Sequence, residues 1–344
     1  MSGWHLIGNS RAVNALASAV SSGSPARSYI FAGPERVGKA AAALRLAQAL
    51  NCAAGDPPCL SCETCRRIGE AKFADVQSVT VEAATDGPAH KAIAVEQMRE
   101  VEATVALAPY EGRKRVVIID PAAEMSDGAQ NAFLKTLEEP PPHVVFVLVS
   151  ADADRLLETV RSRCRRVEFG LVAAAEIEAG LIERGSDAEQ AAVLARLAAG
   201  RPGWALEATA TPALLAKRAE ALDAARSLAG MGLADRIDVA AKLSDAFKRD
   251  RAPVDETLAQ WLGWWRDVVL TQSGAGDVIA NLDRREEIAA AAQRHDRAQV
   301  TAFVESLRET RQHLRANVQS RIALDALMLR VPARTQEGLP AANA

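Results

Sequence analysis

The sequence predicts a parallel α/β domain followed by an all-helical C-terminal half. Short apolar runs alternate with helix-like segments up to about residue 170. A glycine-rich loop joins one such run to the helix after it. Beyond residue 170 strand-like runs vanish, and Ala, Leu, Glu and Arg dominate.

Each element follows from its own pattern. Tyr29–Phe31 is a short apolar strand ending at Gly33, and Ala40–Asn51 is the Ala/Leu-rich helix after it. Asp75–Glu82 alternates like a strand, and Ile93–Leu107 has helical spacing that stops ahead of Pro109. Val116–Asp120 and Val144–Val149 are continuous apolar runs, the signature of strands covered on both faces of a parallel sheet. Leu171–Ala199 reads as two or three short helices closed by Gly200, Pro202 and Gly203. From Ala216 to Arg330 longer helices follow, broken at Gly230 and Gly232, at Pro253, and at Gly274 to Gly276. Residues 332–344 read as a frayed tail.

Composition excludes several classes. The 344 residues suit two or three domains with cores that need no disulfides. With 41 Lys+Arg against 44 Asp+Glu, the net charge is −3, so bulk charge does not drive nucleic-acid coating. No run approaches the ~18 apolar residues of a membrane span. The start, Met1 to Arg11, lacks the basic and apolar regions of a secretory signal. A soluble, cytoplasmic protein without membrane partners is expected.

Gly33-Pro-Glu-Arg-Val-Gly38-Lys39 is a phosphate-binding loop in the right context. Its glycines let backbone N–H groups converge on phosphate oxygens, the helix N-terminus adds positive potential, and Lys39 neutralises charge. The next residue should carry a hydroxyl for Mg²⁺, but it is Ala40. Asp120 ends an apolar strand where an acid could reach the metal. The adjacent position, which could hold a carboxylate to orient water, is Pro121, and Glu124 lies three residues further along and out of place. Weak ATP/Mg binding with little or no turnover is the expectation.

Cys52, Cys59, Cys62 and Cys65 fall within fourteen residues. Four soft thiolates in two close pairs suit a closed structural zinc site. Arg66, Arg67 and Lys72 follow the cluster; three cations near a turn are more often a solvated surface, and DNA contact by the module stays open. The fifth cysteine, Cys164, sits in Arg161-Ser-Arg163-Cys-Arg165-Arg166. Four arginines in six residues are either a basic surface or the source of an arginine that reaches a neighbour's phosphate.

Several motifs together resemble one family. Asn131-Ala-Phe-Leu-Lys-Thr-Leu-Glu-Glu-Pro-Pro, then Val144–Val149, then Arg155-Leu-Leu-Glu-Thr-Val-Arg-Ser-Arg-Cys is similar to bacterial clamp-loader subunits of the AAA+ superfamily. The cysteines after the phosphate-loop helix look like those of the DNA polymerase III gamma/tau and delta-prime subunits. Gly200-Arg-Pro-Gly203-Trp resembles the sensor-2 region, and Leu314–Leu329 with Asn317 resembles the last collar helix. Ser150 occupies the approximate sensor-1 position.

The resemblance implies a five-stranded parallel sheet, with Val167–Phe169 as last strand, in an AAA+ P-loop domain over 1–169. It implies a helical lid over 170–215 and a helical collar for oligomerisation over 216–331. It implies that Arg163, in the Ser-Arg-Cys motif, points in trans at a neighbouring subunit's ATP. Ala40, Pro121 and Gly203 depart from the motor subunits, and the chain has no room for the long extension of tau, so the delta-prime type fits best. That type implies a non-motor subunit of a DNA-directed DNA polymerase holoenzyme. Its partners are the delta and gamma/tau subunits, the sliding clamp and primer-template DNA. Two alternatives are an active gamma-like ATPase and a stand-alone zinc-ribbon nucleic-acid binder, the latter disfavoured by the near-neutral charge.

Overall fold

The computed structural model describes residues 3–81, 92–316 and 318–333. In chain order the first elements are α1 (Ser10–Ser21), β1 (Ser28–Ala32), α2 (Lys39–Asn51), α3 (Glu63–Gly69), β2 (Val76–Val79), α4 (Val95–Val105) and β3 (Arg115–Ile119). They continue with α5 (Asp127–Glu138), β4 (Val144–Ser150), α6 (Glu158–Arg161), β5 (Arg165–Glu168), α7 (Ala174–Ile182), α8 (Ala188–Leu197) and α9 (Pro202–Ala210). The rest is helical: α10 (Pro212–Leu228), α11 (Leu233–Arg249), α12 (Arg251–Gln272), α13 (Arg285–Arg294), α14 (Arg297–Arg315) and α15 (Ser320–Leu329). The chain divides into two compact units, Met1–Leu206 and Glu207–Ala344.

The first unit is a five-stranded parallel sheet in the order β2-β3-β4-β1-β5, with helices on both faces. The alternation is strict. Tyr29, Phe31, Val116, Ile118, Val145 and Val147 pack with Leu16 and Leu46 on one face. Ile30, Val117, Ile119, Phe146 and Leu148 pack with Met98 and Phe133 on the other. Because both faces are apolar, the central strands read as unbroken hydrophobic runs.

The expected strand Val167–Phe169 is displaced: β5 runs over Arg165–Glu168. Only Val167 in it is buried, because an edge strand pairs on one side and needs little apolar surface. Arg165 and Arg166, which precede the expected strand, are therefore strand residues. Glu82, the expected end of the second strand, lies outside the described residues.

The second unit is a helical bundle whose core holds Trp261, Trp264, Trp265, Phe303, Leu307 and Leu324. Two expected boundaries move. The break expected at Pro253 falls at Asp250, whose side chain caps α12 by accepting from the Ala252 N–H. Pro253 sits in the first turn, where a helix does not need that residue's N–H. The expected single helix Leu314–Leu329 is two, α14 ending at Arg315 and α15 starting at Ser320; Asn317 lies outside the described residues. No helix among the described residues is long and apolar enough to cross a membrane.

Candidate functional site

The phosphate loop leaves the C-terminal end of β1 and enters α2. In register, Ala32 stands opposite Ser150, so β4 brings Ser150 beside Gly33. On the other side of β4, β3 leads directly into Asp120, whose N–H donates to the Val79 carbonyl at 3.0 Å. The strand order reverses around β1, the position where open α/β sheets bind ligands beyond their strand ends. Gly33 has φ 139° and Gly38 has φ 100°, both in the left-handed region that favours glycine.

Lys39 is 6% exposed, and its ammonium donates to the carbonyls of Gly33 at 2.6 Å and Pro34 at 2.5 Å. Burial lowers its pKa, and the charges of Asp120 and Glu35 oppose that shift. Burial likewise raises the Asp120 carboxyl, opposed by Lys39. A phosphate entering here competes with the loop's own carbonyls for the lysine. The Mg²⁺ half of the site does not fit: Ala40 is exposed and presents only a methyl group. Glu124 is engaged elsewhere, in a 2.7 Å ion pair with Arg155.

Two contacts around the loop were not readable from sequence. Asn9 donates to the carbonyls of Val37 and Gly170, both at 3.2 Å, and accepts from the Gly170 N–H at 2.8 Å. It thereby clips the loop to the end of the sheet. Gly203, at the start of α9, donates its N–H to the Arg36 carbonyl at 2.8 Å. A Cβ at Gly203 would lie 2.9 Å from that oxygen, so backbone occupies the space a side chain there would need.

At the opposite end of α2 the four cysteines converge. The sulfurs of Cys52, Cys59, Cys62 and Cys65 all lie within 4.8 Å of one another, and Cys59 and Cys65 are 4.0 Å apart. A tetrahedron with metal–sulfur bonds of ~2.3 Å has edges of about 3.8 Å, so the donor set fits a metal ion closely. The N–H groups of Ala54, Cys62 and Cys65 each donate at 3.4 Å to the sulfur of Cys52, Cys59 and Cys62 respectively. Donation from the Cys62 and Ser61 N–H groups holds the Cys59 thiol down at about 6, whereas burial pushes Cys65 up.

The same helix braces the cluster. Gln48 donates to the Cys65 carbonyl at 2.7 Å, and the Arg113 side chain donates to the Cys52 carbonyl at 3.3 Å. The amide oxygen of Asn51 accepts from the N–H of Arg113 at 2.8 Å and of Lys114 at 3.0 Å. Of the cations that follow the cluster, Arg67 pairs with Glu111 at 2.6 Å and Lys72 with Glu70 at 2.9 Å.

Arg163 lies just after α6. Its guanidinium donates to Glu138 at 2.6 Å and to the Thr159 carbonyl at 2.9 Å, and its side chain is 33% exposed. Glu138 closes α5 within the Leu-Lys-Thr-Leu-Glu-Glu run, and nothing in the spacing of the two residues announced the pair. Arg161 is bound to Asp154 at 2.7 Å, and Arg166 to Glu168.

A family model described as "DNA polymerase III, delta subunit" matches residues 8–172, and one described as "DNA polymerase III, delta subunit, C terminal" matches residues 213–331. The DNA polymerase III subunit tau of Bacillus subtilis is 37% identical over 164 residues, covering 47% of this chain and 28% of that one. The tau subunit of Escherichia coli is 37% identical over 161 residues, 46% of this chain and 24% of that one. The gamma subunit of Buchnera aphidicola is 34% identical over 174 residues, 50% of this chain and 46% of that one. The chain thus spans less than half the length of these relatives. Among solved structures, a gamma subunit-related protein of Thermotoga maritima aligns over 92% of this chain and 97% of that one. At 16% identity and a TM-score of 0.40 that likeness adds nothing to the topology described above. Both units match models of one family, and the chain belongs to the DNA polymerase III clamp-loader subunits of the AAA+ class.

Proposed function

We propose that this chain is a non-motor clamp-loader subunit of the delta-prime type, helping to place a sliding clamp on primed DNA. The observation that carries this reading is the phosphate loop, which keeps its fold and lacks its chemistry. Ala40 offers no oxygen to Mg²⁺, Pro121 stands where a second acid would orient water, and the Gly203 backbone rests on Arg36 in place of a cationic side chain. The four cysteines hold one zinc ion in a structural role, because a filled set of four thiolates leaves no open position. Residues 170–215 act as lid and 216–331 as collar, joining delta and gamma/tau subunits. Ile322 and Leu329, seven residues apart on α15, are 61% and 64% exposed and give the bundle an apolar stripe for such contacts.

Arg163 then serves the neighbour's site. A guanidinium is planar and permanently charged, which suits a phosphoryl group in transfer. The exposed pair with Glu138 parks it at little cost, since such pairs are worth about 0–1 kcal/mol. A gamma-like motor is the second reading, favoured by the 37% identity to tau over the first half.

Reconstitution with delta and gamma/tau subunits, clamp and primed DNA separates the two. The isolated chain should show negligible phosphate release, whereas turnover abolished by Lys39→Ala would identify a motor. In the complex, Arg163→Ala should lower ATPase while Arg166→Ala leaves it unchanged. An arginine supplied in trans is worth on the order of 10³–10⁵ in rate at its own site. The whole-complex loss is smaller because other sites keep their arginines. Equal ATPase for both variants, with assembly intact, returns Arg163 to a solvated basic turn.

A further inference from the structure

The sheet ends on β5, and a groove runs beside that end. Between α1 and β5 lies an open cavity of about 320 Å³, away from the phosphate loop, the cysteines and Arg163. Its trough exists because α1 presents small side chains there, Ala12 and Ala15, above the ring of Tyr29. The rim is cationic. Glu168, the one carboxylate lining the groove, is taken by Arg166. Arg11 and Arg165 are exposed, and among the described residues neither side chain makes a hydrogen bond or an ion pair. Val167 is buried with Ala12 and Leu16, so strand alternation puts Arg165 on the α1 face as well. On its outer side β5 has no neighbouring strand among the described residues, which leaves backbone N–H and C=O groups available for pairing.

An open strand edge, an apolar trough and two uncommitted guanidinium groups fit one kind of occupant. We propose that this groove docks an extended acidic segment of a partner protein, added as a strand to the free edge of β5 with its carboxylates on Arg11 and Arg165. Main-chain hydrogen bonds supply affinity in such additions, and the arginine pairs supply sign and register. A nucleic-acid strand meets the arginines but has no use for the strand edge. Tyr29, at 1% exposure, is too buried to be a stacking platform for bases. This inference does not depend on the proposed subunit type.

The test uses the full chain and a fluorescein-labelled peptide alternating Glu and Val. Its Lys/Val counterpart, a Glu/Val peptide interrupted by proline, and oligothymidylate serve as comparisons. The Glu/Val peptide should bind saturably and slow hydrogen exchange at the Arg165–Glu168 amides. The Lys/Val and proline peptides should bind at least about tenfold more weakly. The double charge reversal Arg11→Glu with Arg165→Glu should weaken the Glu/Val peptide by about tenfold or more. Arg99→Glu, a single charge reversal on α4 across the sheet, should leave binding unchanged. No saturation below about 1 mM, equal binding of the Lys/Val peptide, or indifference to the double variant overturns the proposal. So does binding of oligothymidylate that depends on the two arginines while the peptide does not bind.

Discussion

The two ends of α2 make an instructive pair. Lys39 opens the helix out of the phosphate loop, and Cys52 follows it into the cysteine cluster. At the cysteine end everything the chemistry requires is present: four converging sulfurs, N–H donors to three of them, and Gln48, Asn51 and Arg113 bracing the backbone. At the lysine end Ala40 offers no oxygen to a metal and Pro121 no second carboxylate, but the loop geometry is kept. The reason is visible at Gly33, where a Cβ would lie 1.9 Å from the Phe169 carbonyl oxygen. That glycine is demanded by packing against the end of β5, whether or not a nucleotide ever binds. The turn of the phosphate loop therefore has a packing role that is independent of any nucleotide, whereas four thiolates have no packing reason to converge.

Breaking the cysteine end should have the largest effect. Cys62→Ser removes one ligand and also the sulfur that accepts the Cys65 N–H and caps α3. We expect metal content to drop from one equivalent of zinc to well below that by elemental analysis. Stability of the surrounding segment should fall by several kcal/mol, on the order seen for small metal-dependent modules. Hydrogen exchange should accelerate across Glu63–Gly69 while the Trp261 to Trp265 core of the helical unit keeps its protection. Full metal content in the variant, or loss of protection in the helical core, contradicts a closed local zinc module.

Next in size is the buried pair that ties this end of α2 to the sheet. Asp75 is fully buried and accepts from the N–H groups of Tyr110, Glu111 and Gly112, each at 2.8 Å, and from Arg115 at 2.9 Å. The loop it holds continues into Arg113, which reaches Asn51 and Cys52. Asp75→Asn leaves Arg115 buried without its counter-charge, a loss of about 3–5 kcal/mol in comparable pairs, to be read by urea unfolding. Burial raises the Asp75 pKa, but the three N–H groups and Arg115 more than offset it, and the net shift is downward. A carboxylate with a depressed folded pKa stabilises the fold above its ordinary value of about 4 and loses that contribution as pH falls through the folded value. The wild-type chain should lose this stability on acidification, and Asp75→Asn should lack that part of the pH dependence. If the variant also releases zinc, the knot and the cluster unfold as one piece.

What the sequence disclosed follows the same division. The central strands were legible because both of their faces are apolar, and the cysteines because four of them within fourteen residues match the spacing of a metal-ligand set. β5 was misplaced because an edge strand beginning on Arg165 and Arg166 carries almost no hydrophobic signal. The break between α14 and α15 was hidden in a run that keeps helical composition throughout. The resting of Gly203 on Arg36 could not be read, since a glycine in a sequence does not say which backbone it lets approach. Nor could the pairing of Arg163 with Glu138, whose ends are 25 residues apart and joined only through the packing of α5 and α6.

The smallest expected effect lies at the lysine end, in Ala40→Ser. The position is exposed in the first turn of α2, where serine is well tolerated, so stability should change by less than about 0.5 kcal/mol. The new hydroxyl supplies the missing oxygen for Mg²⁺, and nucleotide affinity should rise by up to about tenfold, the worth of one charge-assisted contact. That gain should appear in titration calorimetry with Mg²⁺ and vanish with EDTA. Turnover should stay at background, because the hydroxyl addresses one deficit of three. Pro121 still offers no carboxylate to orient water, and the Gly203 backbone still fills the space beside Arg36. Hydrolysis also needs charge stabilisation that binding the metal alone does not provide. If Ala40→Ser releases phosphate at a rate that Lys39→Ala then abolishes, this end of α2 is one oxygen away from a motor. The contrast between its two ends would then be one of degree.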